Sequence, residues 1–128
     1  MTWKCFEDID AWQMARVLSR EIHLMIQSTA IRKNFALRDQ LYRSAGSVMD
    51  NIAEGFERGG NKEFRTFLGY AKGSCGEVRS QLYRCLDMEL ITSEQYEKLN
   101  QSSLFIAGKI YRLIEYLNRS GIKGSRFK

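Results

Sequence analysis

The 128-residue chain contains no proline, where average usage near 5% would supply about six. Proline removes a helical donor and clashes with the turn before it, so its absence leaves long helices unbroken. Apolar residues recur at three- and four-residue spacing through four segments, which is the period of a helix face.

The first stripe runs Ile9, Trp12, Ala15, Leu18 or Ser19, Ile22, and Met25 or Ile26, with Asp8 as its expected N-cap. Thr29-Ala30-Ile31-Arg32-Lys33-Asn34 breaks it, and a second stripe follows at Leu37, Leu41, Ala45, Val48, Ile52 and Phe56. Arg58-Gly59-Gly60 is a turn signal. Asn61 then fits an N-cap for a third stripe of Phe64, Phe67, Leu68, Ala71, Cys75, Val78, Leu82, Cys85 and Leu86, with the helix expected to end near Glu89.

Thr92-Ser93-Glu94-Gln95 reads as a capping box, in which Thr92 and Gln95 satisfy each other's backbone donors. The fourth stripe is Tyr96, Leu99, Ser103, Ile106, Ile110, Leu113 and Leu117, and Gly121 is the expected stop. Four amphipathic helices joined by short turns cover one another most simply as an all-α, antiparallel up-down-up-down four-helix bundle. The expected division is residues 1–121 for the bundle and 122–128 for a basic tail carrying Lys123, Arg126 and Lys128.

Composition narrows the function. A hydrophobic fraction of 44% with 27% charged residues is that of a folded chain. No apolar run reaches the roughly 18 residues of a membrane span, and no signal-peptide core opens the chain, so a cytoplasmic location is expected. Cys5, Cys75 and Cys85 form no CxxC pair and are expected as reduced thiols, two of them in the core.

His23 is the single histidine, expected on a partly exposed helix surface. One histidine cannot supply the paired Glu-x-x-His motifs of di-iron bundles. No nucleophile-elbow, phosphate-loop or dinucleotide motif is present either. The expectation is a protein without catalytic residues, metal or cofactor.

The net charge of +5 permits contact with a polyanion without requiring it. On the third segment Arg65, Lys72, Arg79 and Tyr83 share one flank, a pattern able to neutralise phosphates and stack a base. The same cations could instead pair with Glu63, Glu77 or Asp87.

Nearly opposite the apolar stripe lie Gly69, Gly73, Gly76 and Ser80. Each helical glycine costs about 0.5–1 kcal/mol relative to alanine. Either the segment tolerates that weakness, or the glycines pack inside the bundle, or they form an interface between subunits. On the second segment Asn51 is expected to hydrogen-bond across helices and Gly55 to admit a neighbour closely, while Asn51 and Glu54 could anchor Arg58 or Arg43 at a subunit junction.

The run Ser47-Val48-Met49-Asp50-Asn51-Ile52-Ala53-Glu54-Gly55-Phe56, with Lys62-Glu63-Phe64 and Gly73-Ser74-Cys75-Gly76-Glu77-Val78, resembles a family of four-helix bundles encoded in intervening sequences of bacterial large-subunit ribosomal RNA genes. Phe6-Glu7-Asp8-Ile9-Asp10-Ala11-Trp12-Gln13 and Leu90-Ile91-Thr92-Ser93-Glu94-Gln95-Tyr96 extend the likeness over nearly the whole chain. Family members commonly carry proline at the position of Met49 and an acid at that of Arg79.

The resemblance implies a ring-like homopentamer with no enzymatic activity. By analogy with related accessory proteins of diversity-generating retroelements, it further implies nucleic acid and a reverse transcriptase as partners. The resulting expectation is nucleic-acid binding through Arg65, Lys72, Arg79, Tyr83, Lys123, Arg126 and Lys128, with Gly69, Gly73, Gly76, Asn51, Glu54 and Arg58 between subunits. The alternative is a protein-interaction scaffold whose basic charge is incidental.

Overall fold

A computed structural model describes residues 3–120. Four helices, α1 (Asp10–Gln27), α2 (Phe35–Glu57), α3 (Asn61–Asp87) and α4 (Ser93–Ser120), account for most of them, with single 3₁₀ turns at Phe6–Asp8 and Ala30–Lys33. No strand occurs among the described residues. Each helix packs on its neighbour in sequence and α4 packs back on α1, the arrangement of an up-down-up-down bundle. Gly121 and the basic tail lie outside the described residues.

The core follows the stripes. Leu18 rather than Ser19 faces inward on α1, together with both Met25 and Ile26, and every residue of the α2 stripe is buried. Fully burying a leucine, isoleucine or phenylalanine stabilises the fold by about 1.5–3 kcal/mol relative to leaving it exposed. Trp3 closes one end of the bundle, meeting Phe64 edge-on with ring centroids 6.1 Å apart and Tyr116 at 6.4 Å. Cys75 and Cys85 are buried free thiols.

The ends of the helices carry the corrections. Asp8 belongs to the 3₁₀ turn, where its carboxylate accepts from the Lys4 backbone N–H at 2.9 Å, and Ile9 takes the cap position of α1 with no side-chain bond. Asn61 is already helical and Gly60 is the cap of α3. The Asn61 amide instead turns inward and donates to the Leu117 carbonyl at 3.1 Å, tying the start of α3 to the end of α4.

The turn at Gly59 has φ +85°, a left-handed conformation that glycine adopts freely. Glu89 takes the corresponding place after α3 with φ 59°, and the Leu90 N–H closes the turn on the Cys85 carbonyl at 2.9 Å. The expected capping box of α4 is formed. The Thr92 N–H donates to Gln95 Oε1 at 2.9 Å and the Gln95 N–H to Thr92 Oγ1 at 3.1 Å.

Candidate interaction face on the third helix

Helix α3 lies between α2 and α4, so its surface divides into two flanks and an outward front. On the α4 flank, Arg65 Nε donates to Asn61 Oδ1 at 2.6 Å and Nη1 to Asn118 Oδ1 at 2.5 Å. Two helical heptads on, Arg79 Nε donates to Asn100 Oδ1 at 3.0 Å. Lys72, between them, is exposed.

None of these three cations forms an ion pair among the described residues; the alternative pairing with Glu63, Glu77 or Asp87 is absent there. Neutral amide oxygens hold the two guanidinium groups in place while leaving their charge uncancelled. Tyr83 packs on Tyr96 with centroids 4.9 Å apart. Burial, with the Tyr83 hydrogen bond and charge, pushes the Tyr96 phenol up to about 12, against a smaller opposing effect of Arg79.

The α4 side of this seam was not legible in the apolar stripes. Asn100, Leu104, Tyr111 and Asn118 follow one another at spacings of four, seven and seven, which puts them on one strip of α4. Asn100 and Asn118 are the partners of the arginines; Leu104 and Tyr111, between them, are 40% and 54% exposed. The polar and aromatic residues at helical spacing beside a core stripe were the available signal.

The α2 flank is built of small polar groups. Ser74 Oγ donates to Ser47 Oγ at 3.0 Å, and Ser44 Oγ donates to Gln81 Oε1 at 2.6 Å. Asn51 does not cross between helices as expected. Its amide stays on α2 and donates to the Ser47 carbonyl at 2.9 Å and to Ser47 Oγ at 2.8 Å, so Ser47 and Ser74 make the crossing. A groove of about 520 Å³ runs here, lined by Gln40, Arg43, Ser44, Ser47, Glu77 and Gln81.

Gly55 admits α3 as expected, because a Cβ there would sit 2.6 Å from Phe67 Cβ and 3.2 Å from Phe64 Cδ1. Glu54 pairs at 2.8 Å with Arg58, the residue that caps the end of α2, and the Arg58 guanidinium lies 4.7 Å from the Phe67 ring centroid. Arg43 is exposed at the groove rim.

The front between the flanks holds Gly69, Gly73 and Gly76, all exposed, and a Cβ built on any of them meets nothing within 4 Å. The possibility that they pack inside the bundle is thereby removed. The structure separates the two expected sets of residues: Arg65, Lys72, Arg79 and Tyr83 on the α4 side, Asn51, Glu54 and Arg58 on the α2 side, with the glycines on the front. Lys123, Arg126 and Lys128 lie outside the described residues. His23 is on the exposed surface of α1, with Nδ1 3.1 Å from the Tyr42 hydroxyl.

Among the described residues no group of three His, Cys, Asp or Glu side chains could hold a metal ion. No described helix is long and apolar enough to cross a membrane.

A solved structure of a protein of unknown function from the S23 ribosomal protein family, from Bacteroides thetaiotaomicron VPI-5482, is similar to this chain at 25% identity and a TM-score of 0.75. The match covers 82% of this chain and 95% of that one. No curated protein matches. The family model described as 23S rRNA-intervening sequence protein matches residues 7–120, the full length of the bundle described above, and the chain belongs to that family.

Proposed function

We propose that the protein is a non-enzymatic, homo-oligomeric, cytoplasmic bundle that binds nucleic acid, structured RNA first, along the seam between α3 and α4. The observation that carries this reading is the absence of any carboxylate partner for Arg65, Lys72 and Arg79 among the described residues. A seam from Arg65 to Tyr83 is about 27 Å long at 1.5 Å per residue, room for several phosphates. Tyr83 and Tyr111 add exposed rings beside the cations.

The family is named for intervening sequences of 23S rRNA, which makes ribosomal RNA the first polyanion to test. One seam offers few charges, so repetition around an assembly is what raises affinity, each further contact becoming intramolecular. The open glycine front supports contact between copies, and the ring-like homopentamer that the sequence resemblance implies would present the seam five times. The same front also favours a second reading, a protein-interaction scaffold such as an accessory subunit of a reverse transcriptase.

The test is titration of the protein against labelled rRNA fragments, duplex DNA and single strands over a salt series. Binding should weaken steeply with salt, and Lys72→Gln should flatten the logarithmic slope by about 0.7–0.9 for each phosphate the side chain no longer neutralises. No binding at low salt would end the nucleic-acid reading and leave the scaffold.

A further inference from the structure

A second basic and aromatic patch lies at the corner where α1 passes into α2. The 3₁₀ turn Ala30–Lys33 ends in Arg32 and Lys33, both exposed and without an ion pair among the described residues. Phe35 opens α2 and is 64% exposed, while Leu37, two positions on, takes the core. The Phe35 ring therefore contributes little to packing.

The Arg38 guanidinium lies 4.7 Å from the Phe35 ring centroid. Its Nε is held by Asp39 Oδ1 at 3.0 Å and its Nη1 reaches the Arg32 carbonyl at 3.5 Å. One turn farther along α2, the Tyr42 hydroxyl is fixed by His23 at 3.1 Å and by Gln27 at 3.0 Å. Phe35, Arg38 and Tyr42 thus form a strip of α2 with spacing three and four.

The combination has a specific chemistry. A flat ring with one planar cation already lying over it and so much of its surface open can take a nucleobase, which stacks on the free ring surface or on the guanidinium plane. Arg32 and Lys33 supply charge for the adjoining phosphates. A paired base hides its faces in the helix stack, whereas an unpaired base can leave it.

We infer that this corner is a second RNA contact, specialised for unpaired nucleotides, with Phe35 as the stacking platform and Arg32 and Lys33 as phosphate contacts. The inference rests on the nucleic-acid reading of the α3–α4 seam and adds what kind of RNA the protein prefers.

The experiment compares the full chain with Phe35→Ala, Phe35→Trp and the double variant Arg32→Gln with Lys33→Gln. The probes are a uridine-rich single-stranded RNA and a blunt RNA duplex, with light scattering on every sample. Phe35→Ala should weaken single-strand binding about tenfold or more, the scale of one base stack, and leave duplex binding unchanged. Phe35→Trp should retain the affinity and show fluorescence quenching on binding. The double variant should lower the single-strand salt slope by about 1.4.

If the parent binds RNA and Phe35→Ala binds the single strand equally well, the corner is not a contact, while the seam reading stands. If the parent binds neither probe, both fall. If Phe35→Ala changes the assembly mass and weakens both probes alike, Phe35 belongs to a contact between copies and the inference is overturned.

Discussion

Replacing Gly69, Gly73 and Gly76 together by alanine should change the subunit and its assembly separately. Each glycine lies inside an α-helix, and among the described residues the added methyl would meet no atom within 4 Å beyond its own stretch of helix backbone. Nothing within the subunit opposes the gain in helix propensity, about 0.5–1 kcal/mol at each position. The triple variant should therefore be about 1.5–3 kcal/mol more stable as an isolated subunit, or roughly 5–15 °C higher in melting temperature for a chain of this size. Urea unfolding at several protein concentrations reads the subunit term, because assembly makes apparent stability concentration-dependent. Gly69→Leu and Gly76→Leu carry the second half: bulk on the front should reduce the mass seen by light scattering without unfolding the bundle. Loss of subunit stability in the alanine variant would show that the front is not open in the chain. Retention of the parent mass in both leucine variants would remove the glycines from any subunit interface.

Gly55 is the contrasting glycine. Gly55→Ala drives a methyl to within 2.6 Å of Phe67 Cβ and should destabilise the bundle by about 1–3 kcal/mol in urea unfolding. Glu89→Gly should raise stability by about 1 kcal/mol, since a left-handed non-glycine residue costs about 1–2 kcal/mol; an unchanged midpoint would mean the turn relaxes. Burial pushes the Cys75 and Cys85 thiols up to about 11 from about 9. Between those pH values the unfolded chain loses thiol protons that the folded chain keeps, so their contribution is complete below about pH 9 and is lost towards about pH 11. Replacing both by alanine should flatten that limb of the stability profile.

The core was readable because burial imposes a period on each helix: Leu41, Val48 and Ile52 could face only one way. The capping box was readable because Thr92 and Gln95 need only each other. Asp8 and Asn61 were misplaced because both have the chemistry of a cap, and competing partners claimed them, the Lys4 N–H and the Leu117 carbonyl. The latter lies 56 residues away, beyond any local signal. Glycine has no single meaning in a sequence either. Gly55 and Gly69 differ by whether a second helix lies against them, which only the packing of α2 on α3 decides. Arg65 and Arg79 were identified as a basic flank, yet Asn118 and Asn100, the amide partners that α4 supplies, could not be foreseen from α3.

Those amide partners give the seam its sharpest test. A carboxylate in place of Asn118 would keep the side-chain shape and the bond to Arg65 while adding the missing negative charge. Asn118 is exposed, so for folding the change turns a neutral acceptor into a charge-assisted one, a gain of about 0.2–1 kcal/mol for a pair near the surface; Asn100 is buried, where a carboxylate would also bear the cost of leaving water. For binding to a polyanion it cancels one cation of the seam. Asn118→Asp should thus leave the bundle as stable or more so, while its affinity for RNA falls and the logarithmic salt slope shrinks by about 0.7–0.9. The opposite signs matter, because a variant that bound poorly through misfolding would lose both. If Asn118→Asp binds RNA with the parent slope, Arg65 does not contact phosphate, and its function is to tie α3 to α4.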